Sequence, residues 1–263
     1  MQTLHLFSGP DDREDGIAAF LDADGIGMDC IDLVNEKTVD RDISDDAVWN
    51  RLKAVLAAGY YHFVFAGPPC RTFSLARHVR PGPPPLRDRQ HPYGFPKSQA
   101  KARGITPGDF EKLRLDNLLA VRTAEACTIM ADMGRGFAVE QPALWGDRSK
   151  DAATMFDLDP FAALQKRGAK IMVLDQCMYG AETTKPTQLL YFNGRFDRLE
   201  ASCNHPTVLW QQPKGRDIWA RHRPCVGTKT AAGHYATSAL AAYPKDLNKR
   251  LAEVIAESLV DAC

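Results

Sequence analysis

Tyr60-Tyr61-His62-Phe63-Val64-Phe65-Ala66-Gly67-Pro68-Pro69-Cys70-Arg71-Thr72-Phe73-Ser74 is the stretch that decides how the rest of the chain is read. Its first six residues are aromatic or β-branched, the composition of a buried strand, which is predicted over 60–65 and stops at Gly67. Two consecutive prolines fix φ and remove two backbone donors. The chain therefore leaves the sheet as a stiff turn, holding the next side chain, Cys70, at the strand's carboxyl end. Open α/β sheets bind ligands along that edge, so a thiol there is placed for chemistry. A free cysteine is more commonly a small buried hydrophobe, and the residues alone leave both readings open.

Working outward, Leu4-His5-Leu6-Phe7 is a short strand broken by Ser8-Gly9-Pro10, and a helix is expected over 12–23. Strand, glycine turn and helix open a Rossmann-like sheet, whose first turn is where a cofactor is held. A second strand over 27–32 ends in Asp32. An acid there can accept both ribose hydroxyls of an adenosine, although a solvent-facing aspartate would look the same. Ser44-Asp45-Asp46 caps a helix over 47–58. Beyond Cys70 the prolines and glycines between 81 and 107 interrupt any regular element. Helical spacing resumes over 110–133 (Leu115, Leu118, Leu119, Ala126, Ile129), followed by a strand over 137–139 with Glu140 at its carboxyl end, the position equivalent to Cys70. A glutamate that ends a buried strand is rarely there for packing. Strands over 170–174 and 188–192 and a helix running from Tyr243-Pro244 to Val260 complete the pattern.

The chain is long enough for one α/β domain with a small lobe. It has no apolar run able to cross a bilayer, and its amino-terminal residues lack the basic start and apolar core of a signal peptide, so a cytoplasmic protein is expected. Seven cysteines at irregular spacing argue for reduced thiols, one catalytic or a few bound to metal. Net charge is zero, but its distribution is uneven: Arg71, Arg77, Arg80, Arg87, Arg89, Lys97, Lys101 and Arg103 face the lone acid Asp88. Such a block is usually a solvated loop. Beside a nucleophile it also suits a phosphate backbone, with Tyr93 and Phe95 available for stacking or for anchoring the loop. Residues 195–230 are again basic, with no evident helix or paired strands, and carry Cys203, His205, His222 and Cys225, a donor set for tetrahedral zinc.

Gly67-Pro68-Pro69-Cys70-Arg71-Thr72-Phe73-Ser74 resembles the nucleophile loop of the cytosine-C5 DNA methyltransferases, Pro-Pro-Cys-Gln-x-Phe-Ser, and other motifs of that family follow in family order. Phe7-Ser8-Gly9 resembles the start of its first S-adenosylmethionine motif, Asp42-Ile43 its Gly-Asp-Ile motif, and Glu140-Gln141-Pro142 its Glu-Asn-Val motif. Tyr179-Gly180 matches the start of Tyr-Gly-x-Pro-Gln-x-Arg-x-Arg, in which Thr183 stands for the Gln, Lys185 for the first Arg and Thr187 for the second. The resemblance implies a Rossmann-like α/β sheet with helices on both faces. The catalytic domain would be 1–192 with 233–263, and 193–232 a small irregular target-recognition lobe. It implies S-adenosyl-L-methionine as cofactor, held by Phe7, Ser8, Gly9, Asp32, Asp42, Ile43, Pro68 and Ser238, and DNA as partner, met by Arg71, Ser74, Arg77, Arg80, Thr183 and Thr187. Cys70, Glu140 and Lys185 would be catalytic. An RNA cytosine methyltransferase on the same scaffold and a non-catalytic DNA-binding relative are the alternatives.

Overall fold

The computed structural model describes residues 1–10, 12–33, 41–78, 83–145, 150–211, 217–222 and 242–260. Six strands, β1 (Gln2–Leu6), β2 (Gly27–Ile31), β3 (Phe63–Ala66), β4 (Gly136–Pro142), β5 (Lys170–Asp175) and β6 (Pro186–Phe192), form one sheet in the order β2-β1-β3-β4-β6-β5. β1 to β4 are mutually parallel, and β6 runs antiparallel to both β4 and β5.

Strand periodicity divides the core between two faces. Val64 and Ala66 of β3 point to one side with Leu4, Leu6, Phe137 and Val139, against α2 (Asp46–Ala57), α4 (Pro107–Asp132) and α5 (Asp159–Lys166). Phe63 and Phe65 point to the other with Ala138, Leu189 and Tyr191, against α1 (Ile17–Ala23) and α6 (Lys245–Val260). The second face also takes Phe196 and Leu199, so the segment after β6 starts by contributing to the main core. Helix boundaries follow their caps. Asp45 accepts from the amides of Ala47 and Val48 at the start of α2, and Thr106 with Asp109 forms a reciprocal capping box ahead of Pro107 at the start of α4.

Several elements differ from expectation, each for a long-range reason. α1 begins at Ile17 instead of 12, because the Asp15 carbonyl accepts from Asn248 of α6 and Gly16 turns back on Arg13. β3 begins at Phe63 instead of Tyr60: the guanidinium of Arg135 captures the carbonyls of Gly59 and Tyr61 ahead of the strand. β4 runs on through Glu140 and Gln141 to Pro142, since these residues pair with Leu189, Gln188 and Thr187 of β6. Glu140 therefore lies inside a paired strand, one step beyond the Ala66↔Val139 pair that ends β3.

The proline-rich stretch after Cys70 is more ordered than its punctuation suggests. It contains a 3₁₀ turn (Leu75–His78) and α3 (Lys97–Arg103), which ends on Gly104 at φ 68°. A satellite core of Leu86, Phe95, Ile105 and Leu113 supports it. Likewise, the segment expected to lack paired strands contains an antiparallel ribbon, β7 (Val208–Trp210) with β8 (Ile218–Ala220). Among the described residues no helix is long and apolar enough to cross a membrane.

Candidate active site

The sheet order reverses at β1, with β2 on one side and β3 on the other, and in open α/β sheets the crevice at such a switch point is where ligands bind. A cleft of about 1620 Å³ opens there, larger than the roughly 300–1,000 Å³ of a pocket for one small ligand. It brings together Phe7, Ser8, Gly9, Asp32, Asp42, Ile43, Pro68, Cys70, Arg71, Ser74, Arg77, Glu140, Thr183 and Lys185. Ser238 and Arg80 lie outside the described residues.

The loop carrying Cys70 is fastened on every side. The Gly67 amide donates to the Leu6 carbonyl at 3.0 Å, and Gln141 Nε2 donates to the Pro68 carbonyl at 3.1 Å. The Cys70 carbonyl accepts from the amides of Phe73 (2.9 Å) and Ser74 (2.8 Å), closing a turn behind the thiol. Thr72 Oγ1 and Arg71 Nε both donate to the fully buried Asp116 of α4, at 2.8 and 3.0 Å. Gly67 is required by close approach: a methyl group there would sit 2.8 Å from the hydroxyl of Tyr243.

Glu140, Lys185 and Tyr243 surround the thiol. Burial pushes the Cys70 pKa up to about 12; the Glu140 charge adds to this and the Lys185 charge opposes it. Burial also raises the Glu140 carboxyl, against the pull of Lys185 and a hydrogen bond from Tyr243. Lys185 is itself lowered by burial, with Glu140 and Cys70 acting the other way. Its backbone has φ 36°, and its Nζ lies 5.3 Å from the Tyr243 ring centroid. Thr187 is fully buried, accepts from Gln176 Nε2 at 2.9 Å and donates to the Lys185 carbonyl at 3.1 Å, which holds the lysine backbone in place. Thr183 Oγ1 lines the cleft, buried and with no hydrogen-bond partner among the described residues. Tyr243 is a site residue that sequence reasoning missed. Its only sequence signal was the Tyr-Pro pair opening the last helix, which reads equally well as a helix start.

At the other end of the cleft the chain leaves β1 through Phe7 (φ 62°) and Gly9 (φ 71°). The Gly9 amide donates to Asp32 Oδ2 at 2.9 Å, so the acid that ends β2 braces the turn that ends β1. Among the described residues no atom lies within 4 Å of where a Gly9 side chain would begin, beside that acid. Asp42 Oδ1 accepts from the Ser44 amide at 2.8 Å, and Ile43 joins the core with an edge on the cleft. A glycine turn, a carboxylate and an apolar edge in this order fit a nucleoside-bearing cofactor.

The basic block is largely occupied within the protein. Arg71 pairs with Asp116, and Arg77 Nε donates to the Pro84 carbonyl at 3.0 Å with Asp109 3.6 Å away. Arg87 is 1% exposed, stacks on Phe73 and donates to the carbonyls of Thr72 and Pro92 and to Asn117. Arg103 covers the buried ring of Phe95, while Tyr93 stays exposed. Beside the cleft, Cys203, His205 and His222 converge as their donor types suggested. Cys225 lies outside the described residues; the sulfur that joins them is Cys177, from the 3₁₀ turn after β5 (Gln176–Tyr179). Compared with protein-family models, with curated proteins and with solved structures, the chain finds no match.

Proposed function

We propose that this chain transfers a methyl group from S-adenosyl-L-methionine to C5 of a cytosine in DNA, through a transient bond between Cys70 and C6 of the base. The observation that carries the proposal is the meeting in one cleft of Cys70 after β3, Glu140 within β4 and Lys185 just before β6. The size of the cleft, which exceeds that of a single-ligand pocket, supports a cofactor and an extruded base held together.

C5 of cytosine is too weak a nucleophile to take a methyl group unaided. The Cys70 thiolate adds to C6, forming the S–C6 bond and moving the C5–C6 electron pair onto C5, while N3 takes a proton from the Glu140 carboxyl. Burial favours the neutral form of the Glu140 carboxyl, and that form suits this step twice over. It holds the proton that N3 needs, and it removes the negative charge that otherwise raises the Cys70 pKa. Lys185 is the cation that lowers the cost of ionising Cys70 and can steady negative charge on O2 of the base. Phe7 to Gly9 with Asp32, Asp42 and Ile43 would hold the cofactor, which would supply the electrophilic methyl group and be left as S-adenosylhomocysteine. Once C5 carries the methyl, loss of the C5 proton to solvent and return of the N3 proton to Glu140 expel the Cys70 thiolate.

The experiment is a trap. DNA containing 5-fluorocytosine has no C5 proton to lose, so incubation with S-adenosylmethionine is expected to leave a covalent protein–DNA adduct, absent in Cys70→Ala. RNA of the same sequence runs beside it. An adduct on RNA alone would transfer the proposal to an RNA substrate, and an adduct that survives Cys70→Ala would overturn the role of Cys70. Cofactor binding by calorimetry without an adduct on either polymer would point to another acceptor, and no cofactor binding at all would leave a non-catalytic relative.

A further inference from the structure

We propose that Cys177, Cys203, His205 and His222 bind one zinc ion in a closed tetrahedral site that fastens the β7–β8 ribbon to the end of the sheet. The four donor atoms all lie within 4.8 Å of one another. Cys203 Sγ is 3.5 Å from His205 Nδ1 and 3.3 Å from His222 Nε2. With Zn–S at about 2.3 Å and Zn–N at about 2.0–2.1 Å, the edges of a tetrahedral site are about 3.3–3.8 Å, so the sulfur and both nitrogens already stand near coordination spacing.

The surrounding groups orient the donors. His222 Nδ1 lies 3.0 Å from the Glu182 carbonyl, an acceptor only, which puts the ring proton on Nδ1 and leaves the lone pair of Nε2 facing Cys203. The Cys203 amide donates to Asp175 Oδ2 at 2.7 Å, the Asp175 amide donates to the Ala201 carbonyl at 2.8 Å, and the Arg221 guanidinium donates to the Cys203 carbonyl. The backbone on both sides of the cluster is thus held at the end of β5. Two thiolates with two imidazoles select zinc over hard cations, and four protein ligands leave no open position, the mark of a structural site.

The ribbon gives the site its purpose. Its strands are three residues each, and Val208, Leu209, Ile218 and Trp219 are all exposed. A two-stranded ribbon without a hydrophobic face to bury is marginal by itself. The ligands bracket it: Cys203 and His205 precede β7, His222 follows β8, and Cys177 belongs to the sheet side. Ala220, Arg221 and His222 line the cleft, so the ion would hold the ribbon against the active-site mouth.

The test uses the whole chain, purified under reducing conditions from zinc-supplemented cells. Elemental analysis is expected to give one zinc per chain that survives dialysis against a weak chelator. Cobalt exchange should give the visible bands of a tetrahedral ion, with charge-transfer intensity for two thiolates. Cys177→Ser and Cys203→Ser should each lose tight metal binding, and Cys225→Ser should keep it. Protein that takes up neither zinc nor cobalt overturns the proposal, as does a Cys177–Cys203 disulfide in protein purified without reductant and with metal available. Metal lost in Cys225→Ser but kept in Cys177→Ser would overturn the ligand set. If a variant does not fold, the cobalt spectrum of the parent still decides, because one or no thiolate in it refutes the site.

Discussion

The Cys70 thiol should be unreactive until a substrate is bound, and the expected rate can be worked out. An ordinary thiol of pKa 9.0 is about one-tenth ionised at pH 8, whereas one raised to about 12 is about one ten-thousandth ionised. The resulting ~1,000-fold deficit is partly returned, because a thiolate of higher pKa is a better nucleophile. A Brønsted slope of ~0.4–0.5 gives back about 15–30-fold. Cys70 should therefore exchange with a small disulfide reagent about 30–60-fold more slowly than a free thiol at pH 8, before any steric hindrance. The assay is mass spectrometry of the Cys70 peptide after timed exposure between pH 7 and 10.5. The rate is expected to rise about tenfold per pH unit throughout, since hindrance scales the rate without changing this slope. Glu140→Gln removes the second-largest cause of the raised pKa and should speed the exchange, and Lys185→Gln should slow it. A plateau below pH 10 would refute the reasoning, because the thiol would then be ionised in the free protein despite its burial and its acidic neighbour.

Glu140→Gln should keep the far-UV spectrum and lose ~10²–10⁴-fold in methyl-transfer rate, since an amide can bond N3 but cannot protonate it; a parental rate would remove the general-acid role. His5 is buried against Phe65 with its pKa lowered from 6.5 to about 3, so it folds in the neutral form and contributes stability that is full above pH 6.5 and is lost as pH falls towards 3. Urea unfolding at pH 7 and pH 5 should show the parent losing about 2 kcal/mol more than His5→Leu, and equal losses would contradict it. Arg87→Ala strands the carbonyls of Thr72 and Pro92, at about 1–3 kcal/mol each, and should cost about 2–6 kcal/mol in the same assay. Arg114→Ala, which breaks an exposed pair with Glu111, should cost less than about 1 kcal/mol, and similar values for the two would mean that the loop core does not depend on Arg87.

The sequence by itself determined what local chemistry controls. The unbroken apolar run Phe63-Val64-Phe65-Ala66 marks a buried strand, and two prolines after Gly67 make its exit stiff, so Cys70 at a strand end was legible from eight residues. The acid at Glu140, the helix caps at Asp45 and the long helix before β4 were legible on the same grounds. Only the tertiary structure decided matters that depend on what a side chain meets. Tyr243 belongs to the site because α6 returns across the sheet and brings its hydroxyl to Glu140, which no spacing encodes. Cys177 joins Cys203, His205 and His222 because the turn after β5 ends beside the chain that enters the ribbon, and a sequence search for nearby pairs favours Cys225 instead. The basic block is the clearest case. Composition counts Arg71, Arg77 and Arg87 as free cations, yet Asp116, Asp109 and a set of backbone carbonyls surround them. A guanidinium presents its five donors equally well to a phosphate or to its own protein, and the fold determines which of these comes within reach.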